Sequence, residues 1–193
     1  MHKIFLIILF LICSITTNAE NINIKNIEAE YNIFYKNSSA GIMTLKINNS
    51  DNQIVVSTVY DGNFLAELAG KGYREEISYI SNIDNNLRPK KYIYKDNKES
   101  YEVIFYKNNI EISDPKTLHE GEIYDPLYML LKLMIDYPKV SDSYKVISKK
   151  NIKVYKYKYE EKKSIMINDI KYNGYSAEYA IGNKINYFFF SKD

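Results

Sequence analysis

From Ile27 onwards the chain alternates. In IEAEYNIFYK, Ile27, Ala29, Tyr31, Ile33 and Tyr35 occupy one face of an extended backbone, and Glu28, Glu30, Asn32, Phe34 and Lys36 the other. Successive strand side chains point to opposite faces, so this pattern reads as a half-buried strand. The same period of two recurs over residues 41–48, 53–60, 72–80, 90–95, 100–107 and 109–113, and again over 144–148, 153–160, 164–168, 175–181 and 185–190. Between the earlier runs lie NNSDN, DNN, KDNK and KNN, whose Asn and Asp tolerate left-handed backbone angles and close tight turns. YNGY and IGNK read as the turns of the later half. Connections this short make successive strands antiparallel. A single sheet of about ten to twelve strands is too wide to stay flat. The expected fold is therefore mainly β, a strongly curved antiparallel sheet forming an open barrel or half-barrel.

One segment breaks the period. In YDPLYMLLKLMIDYP, Asp125 is a good N-cap and Pro126 fits the first helical position, where its missing N–H costs nothing. Leu127, Leu130, Leu131 and Met134 recur at i, i+3, i+4 and i+7, the stripe of an amphipathic helix, and Pro138 ends it. The pattern predicts one short helix over about 126–137. At 1.5 Å per residue it is about 18 Å long, too short to span a membrane. The four stripe residues should face the sheet, making the helix a plug. Met129 and Leu133 lie off the stripe and are apolar too, and their exposure would turn the plug into a lid.

The N-terminus MHKIFLIILFLICSITTNAEN has a positive start at Lys3, an apolar run from Ile4 to Ile15, and a small polar tail ending at Ala19. This is the layout of a signal peptide over 1–19, cleaved after Ala19, with a single β domain over 20–193. The run is about 12 residues, below the roughly 18 of a spanning helix, and an uncleaved anchor is the weaker alternative. Cys13 is the only cysteine; Ile12 before it disfavours a lipidation site, and the mature chain would then carry no thiol. Lys+Arg total 26 against 24 Asp+Glu, so a net charge of +2 gives no broad field for nucleic acid.

Candidate chemistry is sparse. His119 is the only histidine of the mature segment and reads as a surface-loop residue, since zinc needs three or four ligands. No Gly-x-Ser-x-Gly elbow is present. Glu75 and Glu76 are adjacent on a strand and point to opposite faces, so they cannot flank one substrate bond. Exposed Glu alternating with Arg74 and Ser78 is the simpler reading. Gly70 and Gly72 lack phosphate-loop spacing and mark a bend where the chain enters a strand. In KVYKYKYEEKK, Lys156 and Lys158 interleave Tyr155, Tyr157 and Tyr159; stacking on single-stranded nucleic acid is conceivable, but tyrosines inward and lysines outward is simpler. With 20 tyrosines, an interior lined by Tyr and Leu suits a long amphiphile as well as a filled core.

Several stretches together resemble the exported bacterial family catalogued as domain of unknown function 3108. They are AEYNIFYKNSSAGIMTLKI, GYREEISYI, LRPKKYIY, YDPLYMLLKL, and VYKYKYEEKKSI followed by GYSAEYA, in that order over nearly all of the chain after residue 19. The resemblance implies a mainly antiparallel β envelope protein of Gram-negative type, with no catalytic residues to carry over. Family members usually run past the equivalent of YFFFSKD into a further strand, so a missing final strand is left open, and the strand at 187–190 would then be an apolar edge.

The expectation for function is an exported envelope protein of the periplasm, a non-catalytic binding module for an apolar or lipid-like ligand in the concavity of its sheet. Its groove would be lined by Tyr31, Ile33, Tyr35, Leu127, Leu130, Leu131 and Met134. The alternative is a structural or assembly protein of the envelope acting through protein contacts. No cofactor, metal, nucleic acid or post-cleavage transmembrane segment is expected.

Overall fold

The computed structural model describes residues 24–35, 38–68, 70, 72–83, 86–113, 115–135, 143–167, 169–181 and 184–191. The signal-peptide expectation for residues 1–19 lies outside them. The fold is mainly β, with a large antiparallel sheet that does not close into a barrel. Eight strands follow one another as a meander: β1 (Ile27–Tyr35), β2 (Ser38–Ser50), β3 (Gln53–Gly62), β4 (Tyr73–Ile83), β5 (Asn86–Asp96), β6 (Ser100–Phe105), β7 (Asn109–Ser113) and β8 (Lys116–Glu120). A five-residue helix, α1 (Phe64–Leu68), interrupts the β3–β4 connection.

The expected turns organise this half. Ser50 pairs with Gln53 across Asp51 and Asn52, and the Ser50 hydroxyl donates to the Gln53 carbonyl at 3.0 Å. At KDNK, Asp96 Oδ1 accepts the backbone N–H groups of Lys98 and Glu99 at 2.8 and 2.9 Å, an Asx turn that pins β5 to β6. Gly70 takes φ +68, and Gly72 stands at the entry to β4, as expected for a bend.

The chain then changes sheets. β9 (Ile123–Tyr124) leads through Asp125 into α2 (Pro126–Ile135), and the chain returns as β10 (Ser143–Ser148). The pairs Lys145–Ile123 and Val146–Tyr124 make β9 and β10 parallel. Parallel neighbours need a crossover, and α2 lies within that crossover. β10, β11 (Asn151–Ile167), β12 (Ile170–Ile181) and β13 (Lys184–Ser191) complete a second sheet of order β13-β12-β11-β10-β9, antiparallel except for the β9–β10 pair.

Four differences from the sequence expectation have local causes. The strands fall in two sheets rather than one, because the crossover carries the chain out of the meander. The runs at 153–160 and 164–168 are one strand, β11, irregular between Glu160 and Lys163. The polar residues between them reflect that irregularity rather than a turn. YNGY lies inside β12 and is not a turn; the chain reverses instead between Ile167 and Ile170, where Asp169 takes φ +64. The segment read as a loop around His119 is the edge strand β8, with His119 paired to Ile110. The predicted helix end at 136–137 lies outside the described residues.

The core is built from cross-strand rows on the inner face of the large sheet. One row runs Ile47, Val56, Ser78, Tyr92, Val103, Ile112, each paired with the next. All six are essentially excluded from solvent. Leu127, Tyr128 and Leu131 of α2 pack onto this core, with Leu130 and Met134 half-buried against it. Met129 and Leu133 are also buried, at 1% and 2% exposure, against Val146, Tyr155 and Tyr157 of the second sheet. The helix is apolar on two sides because it packs on two sheets. Tyr155 and Tyr157 point inward while Lys156 and Lys158 are exposed, the alternation expected of that strand. No helix among the described residues is long and apolar enough to cross a membrane.

Candidate functional site

Two features can carry function: a buried polar network beneath α2, and clefts at the two ends of β5.

The network begins with alternation on β4. Arg74, Glu76 and Ser78 share one face, which is exposed at Arg74 near the strand's start and enters the core at Glu76 and Ser78, so the exposed setting expected for Glu76 is incorrect. Glu76 is buried and Ser78 fully so. The Tyr92 hydroxyl donates to Glu76 Oε2 at 2.7 Å, and Arg74 Nε lies 3.0 Å from Oε1. Glu75 is on the opposite face, where the Tyr73 hydroxyl donates to it at 3.1 Å. The two carboxylates therefore diverge, as the strand geometry requires.

Ser78 donates to Asp125 Oδ2 at 2.9 Å. The other oxygen, Oδ1, accepts the N–H groups of Leu127 and Tyr128 at 2.9 and 2.8 Å. Asp125 is thus the expected N-cap, but one wholly buried and tied to β4 by a residue 47 positions away. Burial raises its pKa to about 7, outweighing the hydrogen bonds from Tyr128, Ser78 and Leu127 that favour the anion; the negative charge of Glu76 adds to the rise. Burial, then the charge of Glu76, holds the Tyr92 phenol well above its ordinary value, so it remains a donor.

The Asp125 shift has a sign in stability. Its folded value, about 7, lies above the 3.8 of the free group. The contribution is fully present below pH 3.8 and is lost as pH rises through about 7. Its size is at most about 4 kcal/mol, from roughly 1.4 kcal/mol per unit. Asp125→Asn keeps an acceptor for the helix N–H groups and cannot ionise. Its melting temperature should fall less between pH 4 and pH 8 than that of the parent protein. Parallel pH profiles for the two proteins would show that Asp125 does not titrate in this range.

The first cleft, about 670 Å³, follows from unequal strand lengths. β5 has eleven residues and β6 six, and their pairing stops at Lys91 and Ile104. Residues 86–90 of β5 therefore extend past the last β5–β6 pair and leave a notch. Its floor includes Phe105, Ile110, Ile123 and Tyr128, all buried, and its rim Arg88, Lys90, Tyr106 and Lys107. The Tyr128 hydroxyl donates to the Leu87 carbonyl at 3.0 Å, fixing the first turn of α2 to the wall. Tyr124 stacks on Tyr128 with ring centres 5.3 Å apart, and its hydroxyl bonds the Glu122 carboxylate. Pro89 removes an N–H from this exposed stretch, which discourages pairing with another strand.

The second cleft, about 290 Å³, lies at the opposite end of β5 and is lined by Ile33, Met43, Tyr60, Arg74, Tyr94, Asp96 and Lys149 among others. The two-residue β10–β11 turn beside it uses Lys149 and Lys150 at φ +50 and +60, angles usually taken by Asn or Gly. Their ammonium groups approach Asp96 at 3.8 Å and Glu99 at 3.5 Å, and Lys150 lies 5.7 Å from the centre of the Tyr101 ring. The turn thus latches the second sheet to the first. Partial burial would raise the Asp96 pKa, but bonds from Tyr94, Lys98 and Glu99 and the charge of Lys149 bring it below the usual value.

The seven residues expected to line one groove are dispersed. Leu127 and Leu131 are core, Leu130 and Met134 are half-buried against it, Ile33 lines the smaller cleft, and Tyr31 is 44% exposed. The side chain of Tyr35 lies outside the described residues. Neither cleft is lined by the four helix residues. Among the described residues no group of three His, Cys, Asp or Glu could hold a metal ion. Compared with family models, curated proteins and solved structures, the chain finds no match.

Proposed function

We propose that the protein is a non-catalytic binding module for an apolar or lipid-like ligand, seated in the larger cleft rather than beneath α2. The observation that carries this reading is a cleft of about 670 Å³ with buried aromatic and aliphatic side chains on its floor. That size is within the range of small-molecule sites, and the lining combines an apolar floor with polar and charged walls. The space between the sheets holds α2 instead, with Met129 and Leu133 buried on its second side. Glu76, Ser78, Tyr92 and Asp125 line neither cleft, so their role is read as structural. Export to the periplasm belongs to the same proposal and rests on residues 1–19. Membership of the domain of unknown function 3108 family rests on the succession of strand motifs.

Native mass spectrometry of protein purified from the periplasm should show one co-purified ligand, and a fluorescent fatty acid should bind and be displaced. Leu87→Trp, which fills the cleft wall, should weaken dye binding about tenfold with little change in melting temperature. Absence of both co-purified ligand and dye uptake would overturn the proposal. It would favour a structural or assembly role in the envelope, which needs no cavity.

A further inference from the structure

The charge around the cleft narrows the ligand class, and this inference rests on the binding reading above. Arg88, Lys90 and Lys107 stand among the cleft's sixteen lining residues, opposed by one carboxylate, Glu122. Three positive groups less one negative gives +2, equal to the formal net charge of all 193 residues. The single carboxylate is already engaged by the Tyr124 hydroxyl. Among the described residues Lys90 and Lys107 have no carboxylate partner, whereas the neighbouring Lys91 is paired with Glu102 at 2.8 Å. Among the described residues the Arg88 guanidinium makes only a 3.4 Å contact, from Nε to Asn86 Oδ1.

The cations and the apolar surface are separated within the site. Arg88, Lys90 and Lys107 are exposed at the rim, while Phe105, Ile110, Ile123 and Tyr128 are buried at the floor. A ligand that satisfied only the floor would leave the cationic rim without a counter-charge. One that satisfied only the cations would leave Tyr106, 54% exposed, and the half-buried Leu87 and Tyr124 of the lining in water. We propose that the cleft takes a single-chain amphiphile with an anionic headgroup, its hydrocarbon along Leu87, Tyr106 and Tyr124 above the buried Phe105–Tyr128 floor and its carboxylate or phosphate against Arg88, Lys90 and Lys107. Arginine and lysine both suit such anions, arginine through paired N–H groups and lysine as a point charge.

The experiment uses the purified protein and four probes: a long-chain fatty acid, its uncharged methyl ester, a lysophospholipid bearing a terminal phosphate, and inorganic phosphate. The acid and the phosphate lipid should bind at least about tenfold tighter than the ester, and the preference should shrink as salt is raised. Comparison of the acid with the lysophospholipid identifies which anion the rim prefers. The triple variant Arg88→Gln, Lys90→Gln, Lys107→Gln changes exposed groups only, so folding should be retained. It should lose the preference and keep the affinity for the ester. Equal binding of acid and ester, or a preference unchanged in the triple variant, would overturn the anionic headgroup while leaving the binding function intact. Inorganic phosphate binding as tightly as the lipid would overturn the amphiphile. Failure of all four probes would remove the binding function itself.

Discussion

Replacing Asp125 with alanine should lower the melting temperature by about 6–12 °C, from a loss of about 3 kcal/mol at the 2–4 °C per kcal/mol typical of this chain length. The loss has identified parts. Alanine removes the acceptor for the Leu127 and Tyr128 N–H groups, and an N-cap is typically worth about 1 kcal/mol and up to about 2. It also leaves the fully buried Ser78 hydroxyl without this partner, at a cost of roughly 1–3 kcal/mol. Relief from burying a partly ionised carboxylate opposes these terms and grows as pH rises through about 7. The deficit should therefore be larger at pH 5 than at pH 8. Asp125→Asn, which retains an acceptor, should lose less than half as much at pH 5. Thermal unfolding followed by circular dichroism reads both. Equal losses under about 1 kcal/mol for the two variants would mean that Asp125 does not anchor α2.

The strands of the large sheet were legible because their period is local and their turns carry Asn and Asp at the reversals. NNSDN and KDNK close where the composition places them. The division into two sheets was not legible, because β9 is two residues long and its parallel pairing with β10 is fixed by a helix in between. α1 has five residues, and β8 is a polar edge whose alternation is weak. The buried network was partly legible. The sequence places Arg74, Glu76 and Ser78 on one face, but a charged residue in a strand reads as a mark of solvent. The unused signal was Tyr92 and Tyr94 two strand positions apart beyond a turn, which offers hydroxyl donors to the same face. The cleft was not legible at all. It arises from a mismatch between the lengths of β5 and β6, and run boundaries read from composition are not accurate enough to show a five-residue overhang.

Those length mismatches leave α2 as the element that decides between a plug and a lid, and Leu133 separates the two. Leu133→Ala should cost about 3 kcal/mol, within the 2–5 kcal/mol of fully buried leucines, because it empties a site enclosed by α2 and the second sheet. Leu130→Ala, on the half-buried flank facing the large sheet, should cost about 1 kcal/mol. The sequence stripe ranks Leu130 first, because Leu130 belongs to it and Leu133 lies off it; burial of Leu133 against the second sheet reverses that rank. Denaturant unfolding measures both, with an unchanged slope assigning the shift in midpoint to stability. In a lid, α2 would separate from the second sheet and Leu133 would be wet. Truncating it would then cost under about 0.5 kcal/mol and alter ligand uptake instead. A loss for Leu133→Ala that exceeds the loss for Leu130→Ala, with dye affinity unchanged, requires both faces of α2 to be packed in the ground state. The notch at the start of β5 is then where the proposed amphiphile would bind without opening the core.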